Sequence, residues 1–162
     1  VRFLDSMDIS ASGMTAQRLR MDTISSNMAN VETTRRANGT GPYRRQVVVF
    51  EARNDIENQR TSRNPVISKF ANLLKEQQKV TATGYGVRVK EIRELSEEDS
   101  PYRKVYDPSH ADADAQGYVN YPNVNIVEEM TNMISATRSY EANAKVIEAA
   151  KAMAGKALEI GR

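Results

Sequence analysis

Two stretches at opposite ends of the chain repeat apolar residues in alternating steps of four and three. From Pro122 to Ile160 there is no further proline, and glycine occurs only at Gly155. One long helix, opened by the proline, is expected there. Its seam runs through Ile126, Met130, Met133, Thr137, Tyr140, Ala144, Ile147, Lys151, Ala154 and Leu158, broken only by Thr137 and Lys151. The same stepping near the other end gives Phe3, Met7, Ser10, Met14, Gln17, Met21, Ile24, Met28 and Val31. Seams this narrow face a partner helix. At ~1.5 Å per residue the C-terminal run reaches about 50 Å, more than a domain of this size needs to close its own core. Met14, Met21, Ile24, Met28, Met130, Met133, Tyr140 and Ile147 are therefore the candidate assembly seam. The alternative is a helix packed wholly within its own domain.

The two seams pair most simply with each other. The expected fold is mainly α, with long N- and C-terminal helices paired as an antiparallel coiled coil and a small β-containing unit inserted between them. Residues 1–36 and 121–162 form the helical part, and 37–120 the mixed insert. Gly13 and the cluster Ser25-Ser26-Asn27 weaken the first helix, so packing must hold it. After Val31 a polar run through Gly41-Pro42 reads as loop, and Gln46 to Phe50 as a short strand. Asn64-Pro65 opens a shorter helix ending near Lys79, and Val80 to Thr83 reads as a brief strand. Val87, Val89 and Ile92 mark another strand, Glu94 to Ser100 an acidic linker, and Tyr102 to Tyr106 a strand closed by Asp107-Pro108. Gly117-Tyr118-Val119 begins the return.

Composition narrows the function. There is no cysteine, so thiolate metal sites and disulfides are excluded. Net charge is +2, from 23 basic and 21 acidic residues, which is not the footprint of a nucleic-acid binder. The seven methionines suit helix interfaces that fit more than one neighbour. No apolar run approaches the ~18 residues of a membrane span, and the first residues lack the apolar core of a secretory signal.

Reactive chemistry is sparse. His110 lies between Asp107 and Asp112 with no nucleophile to complete a set, and reads as a solvated loop residue. Asp112-Ala113-Asp114-Ala115-Gln116-Gly117 copies the opening of a calcium loop, but the twelfth place is Asn123 where a bidentate Glu is needed, so a polar turn is expected. Gly39-Thr40-Gly41 and Gly84-Tyr85-Gly86 lack the partners of a phosphate-binding loop. Arg35, Arg36, Arg44 and Arg45 are the basic cluster that a nucleic-acid-binding module would use, weighed against solvated loop charge. No catalytic residue, cofactor or metal is expected.

The stretch Ser12-Gly13-Met14-Thr15-Ala16-Gln17-Arg18-Leu19, followed by Ser25-Ser26-Asn27-Met28-Ala29-Asn30-Val31-Glu32-Thr33, resembles the bacterial flagellar rod and hook axial proteins. The hallmark is Asn27-x-Ala29-Asn30 with Thr33 beyond it. Gly41-Pro42-Tyr43-Arg44-Arg45-Gln46, Val105-Tyr106-Asp107-Pro108 and Ala111-Asp112-Ala113-Asp114 look like the C-type branch of the proximal rod, and Asn125-Ile126-Val127-Glu128-Glu129-Met130 like the family's C-terminal helix. Asn54 to Thr83 is longer than the family's compact form.

The resemblance implies a non-enzymatic subunit of the basal body, in the cell envelope. It would be exported by the flagellar type III apparatus without a cleaved signal and packed around the export channel, passing torque from motor to hook. Implied partners are copies of itself, other rod subunits, and membrane-ring and hook-basal-body proteins, with no nucleic acid and no direct membrane insertion. A soluble helical adaptor or export chaperone is the alternative.

Overall fold

A computed structural model describes residues 3–37, 41–53 and 86–160. In chain order the elements are α1 (Phe3–Ala29), β1 (Gln46–Ala52), β2 (Val87–Glu94), β3 (Arg103–Tyr106), β4 (Tyr118–Tyr121) and α2 (Ile126–Ile160). The two long helices pack against each other, and the strands form two small sheets, β1 with β2 and β3 with β4. The expected helix from Asn64 and the strand from Val80 lie outside the described residues.

The helix ends are set by asparagines. At the end of α1 Asn30 makes the last helical bond to the Ser26 carbonyl (3.1 Å) and adds its side-chain Nδ2 to the same oxygen (2.9 Å), after which Val31 N turns to the Met28 carbonyl and the i→i−4 ladder ends. α2 begins at Ile126, four residues after the proline expected to open it. Asn125 is the N-cap: its Oδ1 accepts from Val127 N at 3.0 Å and its carbonyl from Glu129 N at 3.0 Å. Pro122 is instead fully buried ahead of the helix, as is Val119 of β4, with Val124 close behind.

The chain divides into two compact units. One contains the described residues of 3–16, 50–53, 86–88 and 141–160. Here α1 and α2 come so close at Gly13 that an added Cβ would lie 2.8 Å from Asn143 Nδ2. Ser12 docks the start of β2 on α1, donating to the Ile9 carbonyl (2.7 Å) and accepting from Val87 N (3.1 Å). Gly86, at φ +96°, leaves room for this: a Cβ there would lie 2.3 Å from Ser12 Oγ and 3.4 Å from the Ile9 backbone.

The other unit contains 17–37, 41–49 and 89–140. Its helix contacts include Met21 with Thr137 and Asn27 with Glu129, so α2 residue numbers fall as α1 numbers rise. β3 and β4 are antiparallel, pairing Arg103 with Tyr121 and Tyr106 with Tyr118. In the connecting turn Asp107 accepts from Ser109, and Asp114 Oδ1 accepts from the backbone of Gln116 (2.8 Å) and Tyr118 (2.9 Å). Backbone bonds Arg53 N to the Gly86 carbonyl and Leu95 N to the Arg45 carbonyl lie at opposite ends of the β1–β2 pair, as in an antiparallel ladder.

The buried line of α2 is not the expected one. Glu129, Ala136 and Ala150 are at most 2% exposed and Asn143 is half-buried, whereas Ile126, Met130 and Leu158 of the expected seam are exposed. Met133, Thr137, Tyr140, Ala144, Ile147 and Ala154 do face inward. The most deeply buried positions, 129, 136 and 150, lie one residue before seam members, because the small alanines and the hydrogen-bonded Glu129 allow a close approach that larger apolar side chains would prevent.

Replacing Gly86 by Ala should destabilise the protein by more than the 1–2 kcal/mol of a left-handed residue, since the new methyl also meets Ser12. Thermal or urea unfolding measures the loss. Serine at position 12 changed to Ala should cost less, about 1 kcal/mol for a hydrogen bond.

Candidate assembly site

The described residues bring the expected motif to one place. Asn27, 1% exposed on α1, uses all of its hydrogen-bonding capacity. Its Nδ2 donates to the Gln46 carbonyl (2.8 Å) and to Glu129 Oε2 (3.2 Å), while its Oδ1 accepts from Gln46 N (2.9 Å) and Tyr43 OH (2.9 Å). One amide therefore ties the end of α1 to the first residue of β1 and to the first turn of α2. A carboxylate in its place would lose both donors and face Glu129.

Glu129 is equally buried, at 1% exposure. Its Oε1 accepts from Arg45 Nε (2.9 Å) and Nη2 (2.6 Å), and Arg45 Nη2 also reaches Glu128 at 2.7 Å. Burial works against the Arg45 guanidinium, but hydrogen bonds and charge from Glu129 and Glu128 outweigh it and raise its pKa. Tyr43 is likewise pushed up, by burial first, with Glu94 and Glu129 adding to it against the hydrogen bond from Ser26. The two acidic residues also sit in the first turn of α2, where the helix dipole favours negative charge.

The rest of the motif builds the turn. Thr33 Oγ1 donates to Asn30 Oδ1 at 3.1 Å, and the Thr33 carbonyl accepts from Tyr43 N at 3.1 Å. Ala29 itself is exposed. Thr34 Oγ1 donates to Asp112 at 2.8 Å and Arg35 pairs with the same carboxylate; the Thr34 hydrogen bond first and Arg35 second hold Asp112 below the usual carboxylate range. His110 Nδ1 accepts from Asp112 N at 3.1 Å, so the imidazole shapes the turn.

The basic cluster is largely committed within the chain. Arg36 pairs with Glu94, Arg44 with Glu97 and Arg45 with Glu128 and Glu129, while the Arg44 guanidinium also stacks 5.0 Å from the Tyr102 ring centre. Asp112 and Asp114, expected to form a polar turn, are occupied by Thr34, Arg35 and backbone amides. Among the described residues no group of three His, Cys, Asp or Glu side chains is arranged to hold a metal ion.

What the site leaves open is apolar. In this unit Ile126 (46% exposed), Val127 (72%), Met130 (51%) and Ile134 (53%) lie on the first turns of α2. Val127, Met130 and Ile134 are spaced at i, i+3 and i+7, so they share one face of the helix. Met14, Met21, Met28, Met133, Tyr140 and Ile147 are half-buried, and Ile24 is buried.

Residues 7–35, which include Asn27 and Asn30, match the family model described as flagella basal body rod protein, and residues 115–160 match that of the flagellar basal body rod FlgEFG protein C-terminal region. Along nearly the full length, the chain is 42% identical to the flagellar basal-body rod protein FlgC of Bacillus subtilis, over 97% of both chains. The chain belongs to the FlgC family of flagellar basal-body rod proteins. It is also 44% identical to FlgC of Borreliella burgdorferi, over 96% of this chain and 95% of the relative, and 35% identical to FlgC of Escherichia coli, over 98% of each. The family is structural, not enzymatic, and belongs to the flagellar basal body.

The polar node was not foreseen as a unit. Asn27 and Glu129 were marked by family motifs and Arg45 read as solvated loop charge, because nothing local marks the pairing of Glu129 with Arg45 across 84 residues.

Two outcomes follow from the node. Glu129→Ala should destabilise by about 3–5 kcal/mol, because it strands Arg45 and an Asn27 donor, whereas replacing Glu129 and Arg45 together by Leu should recover much of the loss. Chemical unfolding of Glu129→Leu, Arg45→Leu and the double variant, read as a mutant cycle, checks this. Asp112 has a depressed folded pKa, so its stabilisation is present above the unfolded carboxylate value, about 3.9, and disappears as pH falls through the lower folded value. The melting temperatures of the wild type and Asp112→Asn should differ by a constant amount from pH 5 to 8 and converge below pH ~4.

Proposed function

We propose that the chain is a subunit of the proximal rod that assembles around the export channel and carries torque from motor to hook. The near-full-length identity to FlgC relatives carries this reading. The exposed line Val127-Met130-Ile134 supports it, because a helix that buries one face and leaves a second apolar face open has surface for another chain. In this reading α1 and α2 form an antiparallel coiled coil, the segment 37–120 faces outward from the helical parts 1–36 and 121–162, and export proceeds through the flagellar type III apparatus without a cleaved signal. Copies of the chain, other rod subunits and membrane-ring and hook-basal-body proteins are its partners.

Met14, Met21, Ile24, Met28, Met133, Tyr140 and Ile147 build the intrachain side of the seam, and Met130 meets the neighbour. Complementation tests the function: expressed in a Bacillus subtilis strain lacking its FlgC, the chain should restore rods and swimming. Val127→Asp and Met130→Asp should leave the melting temperature of the free chain within a few degrees, as for exposed positions, while abolishing complementation. Met133→Asp should lower both, since that side chain is partly covered already. Normal swimming with Val127→Asp and Met130→Asp combined would remove this face from the assembly.

A further inference from the structure

We infer that the Asn27–Glu129–Arg45 node selects the register in which α1 and α2 pair, by excluding a slip of one heptad. The inference rests on the helix pairing seen in the contacts of one compact unit, and not on rod assembly. Much of the inward face of α2 repeats at multiples of seven residues in apolar or small side chains: Met133, Tyr140, Ile147 and Ala154 on one line, Ala136 and Ala150 on the other. Apolar and small side chains in such a repeat discriminate poorly between registers one heptad apart, because each finds a similar neighbour after a shift of about 10.5 Å. A buried polar residue does discriminate, because it is satisfied in one alignment only.

Asn27 is that residue. In the observed alignment its Nδ2 meets Glu129 at 3.2 Å and Glu129 meets Arg45 at 2.6 Å, with Met21 opposite Thr137 one to two turns further along. Moving α2 by one heptad would bring Glu129 opposite Arg20, which is seven residues before Asn27 and now donates to Asn132 Oδ1 at 3.2 Å. The slipped state therefore offers Glu129 a cation of its own. What disfavours it is the set of bonds made only in the observed register: Asn27 saturated by Gln46, Tyr43 and Glu129, and Arg45 held beside Glu129 from the first residues of the β1 region. Removing Asn27 and Arg45 while keeping Glu129 leaves Arg20 as the cation that a slip would supply.

Disulfide trapping in the full chain, which has no native cysteine, reads the register directly. Met21→Cys with Thr137→Cys reports the observed alignment, and Met21→Cys with Met130→Cys the slipped one. In the otherwise wild-type chain, mild oxidation of dilute monomer should close only the 21–137 pair. With Asn27→Leu and Arg45→Leu, the yield of the 21–130 pair should rise at least tenfold, and adding Arg20→Gln should reverse the rise. If the double variant loses its helical circular dichroism, Asn27→Leu, Arg45→Leu and Glu129→Leu together bury no charge and carry the same test, with both pairs expected to close. Exclusive 21–137 closure in either folded variant would overturn the inference, and would leave the register to the β-strand connections. Rod assembly plays no part in the readout, so a failure of complementation leaves this result standing.

Discussion

A carboxylate at 1% exposure cannot stay charged without partners, and Glu129 has three donors placed on it from two separate segments. Removing a charge from water costs several kcal/mol, which only well-aligned hydrogen bonds and an opposite charge offset. Much else depends on their alignment. Arg45 must sit at the entry to β1, Asn27 must be near the end of α1, and Asn125 must start α2 where Glu129 falls in its first turn. Each condition fixes a loop length or a helix end, and three side chains thereby tie three elements of the chain together.

The node also explains why the end of α1 carries so many polar residues. Ser26, Asn27, Asn30 and Thr33 are poor helix formers, and their side chains compete with the backbone for hydrogen bonds. Here that competition is put to use. Asn30 closes the helix on the Ser26 carbonyl, Thr33 closes on Asn30, and Tyr43 returns to Asn27 and Thr33. A helix built for propensity alone would run on past this point and leave the strand without an anchor.

Burial and exposure on α2 divide the labour of the helix. The line through Ala136 and Ala150 is small and tightly covered, whereas Val127, Met130 and Ile134 are large and open. Close packing of small residues brings helices together at the cost of little apolar area, and the larger apolar side chains remain for another surface.

The sequence by itself determined both long helices, β1, β2 and β3 to within a few residues, and the family, because periodicity, capping residues and motifs are local or simply repeated, whereas β4 was read only as the chain's return towards α2. It also marked Asn27, Asn30 and Thr33, though only as a motif without a role. Two things were decided by tertiary structure. One is the phase of the α2 seam: hydrophobicity points to Met130 and Ile126, but the helix buries Glu129 and Ala136, since close approach and paired charge outweigh apolar area at those positions. The other is the partnership of Glu129 with Arg45. Residues 84 apart carry no local sign that they will meet, and a buried ion pair is written in the sequence as two ordinary charged residues until the fold removes the water between them.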